Sequence, residues 1–164
     1  MITKILIYPY ERIAQMVEEN HPCEGAIFIS VRDPGEDNLL DSDLIPKENK
    51  LTLQFNDIVY DGKQLESFNA RFNANLIAFT SAQAQSIREF VDRVQEREES
   101  EILFVNCEAG ISRSGGIGTW VANYIDSVDV QQFKDLNSHI KPNHLVLALL
   151  SRLLWEENRE IEYE

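Results

Sequence analysis

The chain has 164 residues, 43% of them hydrophobic and 26% charged, with a formal net charge of -13. Residues 1–164 read as a single domain large enough for its own core. The excess of carboxylates argues against nucleic-acid or anionic-membrane binding, since both need a basic patch.

Two cysteines, Cys23 and Cys107, make no disulfide framework, so a reducing cytoplasmic setting is expected. The first residues turn polar too soon for a secretory signal, and no apolar run approaches the ~20 residues of a membrane span. The histidines show no metal-ligand spacing with the cysteines, so no metal is expected.

Lys4 to Ile7 reads as a short strand. Pro9 can open the helix after it, in which Ile13, Met16 and Val17 recur at helical spacing until Asn20, with Pro22 just beyond. Cys23 is either a small buried hydrophobe, the favoured reading, or a resolving thiol that pairs with Cys107 after oxidation. Ala26 to Val31 is the next strand, bounded by Gly25 and the turn signal Pro34-Gly35. Residues 32–50 predict a loop with a short helical piece. Leu51, Leu53 and Phe55 alternate with Thr52 and Gln54, a strand with one face inward.

Residues 59–79 carry Phe68, Phe72, Leu76, Ile77 and Phe79 without clear periodicity. They form either a packed surface loop with a helical turn, which the demand of large apolar residues for burial favours, or a mobile lid. Thr80 and Gln83 have capping-box spacing, and Ile87, Phe90, Val91 and Val94 give one apolar stripe of a helix to about Glu98, whose Arg88, Asp92, Arg93 and Glu96 are solvated.

The most informative stretch is 102–120. Ile102-Leu103-Phe104-Val105 suits a buried strand. Asn106 and Cys107 follow, then Arg113-Ser114, then a helix from Gly115 to Asp126. Strand, short loop and helix N-terminus make an anion site, because loop N–H groups converge on the ligand and the helix dipole adds positive potential. The same field lowers the pKa of a cysteine at the loop mouth, and an arginine closing the loop can fork onto two phosphate oxygens. Gly115, Gly116 and Gly118 predict close approach of this helix to its neighbours or a flexible start. Val128 to Leu136 is a short helix, and Leu145 to Trp155 a very apolar last one. An acidic run to Glu164 reads as a solvated end.

Cys107-Glu108-Ala109-Gly110-Ile111-Ser112-Arg113-Ser114 resembles the C-x5-R-[S/T] signature of cysteine-dependent protein tyrosine and dual-specificity phosphatases. The resemblance implies that Cys107 attacks phosphorus and forms a phosphocysteine. It implies further that Arg113 and the loop of Glu108, Ala109, Gly110, Ile111 and Ser112 hold the phosphoryl oxygens, and that Ser114 stabilises the departing thiolate. The family carries His before the cysteine; Asn106 stands there instead, able to keep one hydrogen bond but no charge.

Phe55-Asn56-Asp57 resembles the family's general-acid segment, which makes Asp57 the candidate proton donor; Asp61 is the rival, and a turn residue ending a strand the plain alternative. Pro142-Asn143 resembles the family's late Pro-Asn segment, in which the asparagine braces the phosphate loop; Asn143 can equally cap the last helix.

Pattern and resemblance together imply an α/β fold, dual-specificity-phosphatase-like, with a central mostly parallel sheet of four to five strands flanked by helices. The expected activity is hydrolysis of phosphate monoesters, on phosphotyrosine and phosphoserine or phosphothreonine, with no cofactor. The partner is a phosphorylated protein or a small phosphate ester. The alternatives are a catalytically weak phospho-ligand-binding module and a small-molecule or lipid phosphatase. An acid and no base within the loop counts against highly charged inositol phosphates.

Overall fold

The computed structural model describes residues 1–152. Four strands, β1 (Ile2–Pro9), β2 (Ala26–Arg32), β3 (Lys50–Gln54) and β4 (Glu101–Cys107), form one sheet in the order β1-β4-β2-β3. Every neighbouring pair is parallel. Helix α1 (Tyr10–Asn20) links β1 to β2, and α2 (Gly62–Phe72) and α3 (Ser81–Gln95) link β3 to β4. Helices α4 (Arg113–Tyr124) and α5 (Val130–Leu136) follow, and α6 runs from residue 144 to the end of the described residues. The α/β class holds, with four strands among the described residues.

The central strands β2 and β4 are near-continuous apolar runs because both faces of a parallel sheet are covered. Every residue of β2 is buried. Along β4, Leu103, Val105 and Cys107 face one core with Ile87 and Phe90 of α3, Ile117 and Val121 of α4, and Val146 of α6. Ile102 and Phe104 face a smaller core with Ile13 and Val17 of α1 and with Leu40 and Ile45. Each such side chain contributes roughly 1.5–3 kcal/mol when fully buried.

The strands β1 and β4 exceed their apolar cores because ladder pairing continues through Tyr8↔Asn106 and Pro9↔Cys107. The C-terminal ends of β1, β4 and β2 therefore lie side by side, and the cysteine loop opens there. Two 3-10 turns, Leu39–Asp41 and Lys47–Asn49, supply the helical pieces within 32–50. The glycines of α4 permit close packing: a Cβ on Gly118 would stand 2.4 Å from Ile7 Cδ1, and one on Gly116 3.1 Å from the Asn143 carbonyl.

The capping box of α3 is present, but the helix ends at Gln95 rather than near Glu98. Arg88 and Asp92 are not simply solvated; they pair at 3.6 Å, and Asp92 accepts from the Tyr124 hydroxyl at 2.6 Å.

Segment 59–79 departs most from expectation. It holds a full helix, α2, with no buried residue. Of its five large apolar residues only Phe79 is buried, while Phe72 and Ile77 are exposed. Burial against the body is replaced by local aromatic packing of Phe68 on Tyr60 and Phe72. The segment is pinched at its base, where Asn56 N–H donates to Ile77 O at 2.7 Å and Ile77 N–H donates to Asn56 Oδ1 at 2.8 Å. The residues of the last helix past 152, Trp155 among them, and the acidic end lie outside the described residues.

Candidate active site

Between Cys107, which ends β4, and Arg113, which opens α4, the chain folds back against the end of β1. Gly110 makes the fold-back possible. Its φ is +67°, and a Cβ there would lie 2.4 Å from the Tyr8 carbonyl carbon and 2.5 Å from Pro9 N.

Three of the loop's carbonyls are held from outside. Glu108 O accepts from Tyr10 N–H at 3.3 Å, Ile111 O from Lys141 N–H at 3.1 Å, and Ser112 O from Asn143 N–H at 2.9 Å. In a trans peptide the N–H points opposite its own carbonyl. The amides of Ala109, Ser112 and Arg113 are thereby turned to the inner side of the loop.

Cys107 is 2% exposed, and its Sγ lies 3.1 Å from Ser114 Oγ. Burial, the largest single influence, pushes the thiol pKa up. The Ser114 hydroxyl, the amides of Ser114 and Ile111 and the charge of Arg113 together outweigh it, so the pKa lies below the ordinary 9.0.

Arg113 is buried at 5% exposure, and its Nη1 donates to Asp33 Oδ1 at 2.6 Å and to Phe55 O at 2.7 Å. Its buried Nε has no hydrogen-bond partner among the described residues. One edge of the guanidinium is thus fixed from the β2 and β3 ends, and the Nε side keeps its donor.

Asp57 reaches the loop. Its Oδ1 accepts from Ser112 Oγ at 2.7 Å and from Asn143 Nδ2 at 2.9 Å. Asp61 does not share this place; it precedes α2 and lines another cleft with Leu65, Ile77 and Arg152. Asn143 combines both expected duties. Its backbone N–H braces the loop at Ser112, and its Oδ1 accepts from Val146 N–H at 3.1 Å.

The loop-support expectation for Asn106 needs correction. Its side chain is fully buried, and neither amide atom has a hydrogen-bond partner among the described residues. Alternation along β4 turns it to the sheet face opposite Cys107.

Support comes instead from Arg32, which sequence reasoning passed over. Its Nε donates to Glu108 Oε2 at 3.1 Å, its Nη1 donates to Asp37 O at 2.6 Å, and its guanidinium lies 3.6 Å above the Tyr10 ring. Asp33, also passed over, holds Arg113. The only sequence signal for the pair was two opposite charges at the end of a strand, just where an α/β sheet places its ligands. Cys23 is buried in the α1-side core, on the opposite sheet face from Cys107, and burial raises its pKa. This is the setting of a small buried hydrophobe.

No protein-family model matches the chain, and no curated protein matches it. Solved structures do. The chain is similar to the PTP-2 phosphatase of Cydia pomonella, at TM-score 0.52 and 13% identity, covering 90% of this chain and 83% of that one. It is similar to human DUSP28 at TM-score 0.51 and 11% identity, over 98% and 96% of the two chains. It is similar to PTPMT1 at TM-score 0.52 and 15% identity, over 99% and 96%. The chain thus has the fold of the protein tyrosine and dual-specificity phosphatases.

Proposed function

We propose that the protein is a cysteine-dependent phosphatase acting on phosphate monoesters. The observation that carries this reading is the hydrogen bond from Ser112 to Asp57, which joins a carboxyl group to the loop that already holds a thiol of lowered pKa and an arginine. The Cys107 thiolate attacks phosphorus in line while Arg113 and the inward amides hold the equatorial oxygens. The S–P bond forms as the P–O bond breaks, and the leaving oxygen takes its proton from Asp57. Water then attacks the phosphocysteine and gives a proton back to Asp57. The sulfur leaves as thiolate beside the Ser114 hydroxyl.

Phosphotyrosine, phosphoserine or phosphothreonine in a protein, or a small phosphate ester, is the substrate class. One neighbour, PTPMT1, has been solved with PI(5)P, at 14% identity. For this chain a lipid phosphate remains the second choice. The loop offers Glu108 and no base, and the formal net charge of -13 disfavours anionic surfaces. The rival reading, a phospho-ligand-binding module, draws its support from Asn106, whose unpaired amide stands where the resembled family has a charged support.

The test is hydrolysis of 4-nitrophenyl phosphate across pH 5 to 8 with EDTA present, for wild type and Cys107→Ser. Activity in the wild type and none in the variant is expected. An inactive wild type that still binds vanadate or phosphate would replace the enzyme by the binding module.

A further inference from the structure

Ser112 occupies the position before α4 where a serine would ordinarily cap the helix, yet its hydroxyl makes no capping bond. It donates to Asp57 Oδ1 at 2.7 Å instead. Asn143 Nδ2 donates to the same oxygen at 2.9 Å and to the carbonyl of the next residue, Ile58, at 3.0 Å. On the other side of Asp57, Asn56 is tied to Ile77 by the pair that closes the base of the 59–76 excursion. The aspartate is thus fixed through its two backbone neighbours and one of its two carboxyl oxygens.

An ionised carboxylate oxygen has two in-plane lone pairs, and here both on Oδ1 are engaged by donors. A proton on the carboxyl group must therefore sit on Oδ2. We propose that Ser112 and Asn143 form a clamp that makes Oδ2 the proton-carrying oxygen of Asp57 and holds it beside the phosphate loop. Resting on the phosphatase reading above, this makes the loop serine a positioning residue for proton donation, with a task separate from the amides that hold the phosphoryl oxygens. In the first step Oδ2–H passes its proton to the leaving oxygen as that oxygen takes the P–O electron pair. In the second, the same oxygen accepts a proton from water.

The readout is the ratio of kcat/KM for phenyl phosphate to that for 4-nitrophenyl phosphate, because only the poor phenol leaving group depends strongly on protonation. Asp57→Ala should lower the ratio about a hundredfold. Ser112→Ala should lower it about tenfold, the cost of one lost positioning bond, and Ser112→Thr should restore it. Asn143→Asp keeps the acceptor for Val146 but loses the donors, and it should lower the ratio in the same direction.

In an Asp57→Ala background, Ser112→Ala should change the ratio no further. A normal ratio in Ser112→Ala, with the ratio collapsed in Asp57→Ala, overturns the clamp and leaves the acid. A normal ratio in Asp57→Ala overturns the acid assignment itself.

Discussion

Arg113 Nη1 donates to Asp33 Oδ1 at 2.6 Å, so the arginine that closes the loop is anchored by a carboxylate at the end of β2. The adjacent Arg32 grips Glu108 at the loop's other end. Two consecutive residues of one strand end thus hold both ends of the loop. Because the Asp33 side chain is 45% exposed, its charge is screened, and acceptor geometry matters more than Coulomb attraction. Asp33→Ala should therefore lower kcat/KM for 4-nitrophenyl phosphate about tenfold, the effect of one lost charge-assisted hydrogen bond. Asp33→Asn, which keeps an oxygen acceptor, should lose much less. Steady-state kinetics on the two variants checks this, and equal losses would show that the charge acts rather than the bond.

The lowered pKa of Cys107 sets the pH dependence. The thiolate is the attacking form, so kcat/KM should rise with pH through the folded-state thiol pKa, and that rise should lie below the ordinary thiol value of 9.0. Removing the Ser114 hydroxyl takes away a donor to the thiolate. Ser114→Ala should then move the rise to higher pH and slow phosphocysteine breakdown, giving a burst of nitrophenol followed by a slow steady state. The same shift has a stability consequence. Between the folded pKa and 9.0 the unfolded chain holds the proton that the folded chain has released, so stability rises with pH across that window. The gap in Tm between wild type and Cys107→Ser should change in favour of wild type as pH approaches 9.0, a trend that thermal melts can read.

The loop and its flanking elements were legible because local signals agree there: an apolar strand, a cysteine, a mid-loop glycine and an arginine before a helix. Asp57 was legible only as one of two aspartates. Its choice over Asp61 depends on Ser112 and Asn143, which stand 55 and 86 residues away. Arg32 and Asp33 were not legible as loop anchors, since only the parallel pairing of β2 with β4 brings them to the loop. Nor was the exposure of α2. Its aromatics pack on one another, so composition suggests a buried core that the topology does not supply.

Asn106 offers a test of the polar economy of the central strand. Its amide is fully buried, and neither polar atom has a partner among the described residues. Leaving a buried polar group unpaired costs about 1–3 kcal/mol, and replacing it by an apolar group of like shape recovers part of that. Asn106→Leu should therefore hold or raise stability, by up to about 1 kcal/mol. The urea midpoint at constant slope reads this out, and a fall of that size or more would mean that the amide is paired in solution.

Gly110 and Gly25 both have positive φ, +67° and +74°, but only Gly110 is enclosed. A Cβ at Gly25 meets nothing within 4 Å, whereas one at Gly110 would stand 2.4 to 2.6 Å from three backbone atoms of Tyr8 and Pro9. Gly25→Ala should thus cost only the conformational penalty of a left-handed residue, about 1–2 kcal/mol, and leave hydrolysis intact. Gly110→Ala carries that penalty and must also push the loop off the end of β1. The opposed backbone cannot rotate away as a side chain would. The displaced loop would lose the register of its inward amides with Arg113, so kcat/KM should fall by about a hundredfold or more, a large effect for a geometric error near 1 Å. Kinetics and urea melts on the two variants separate the contributions: a larger stability loss in Gly110→Ala, with activity lost in it alone under conditions where both variants are still folded, would locate the defect in the loop's shape rather than in its folding.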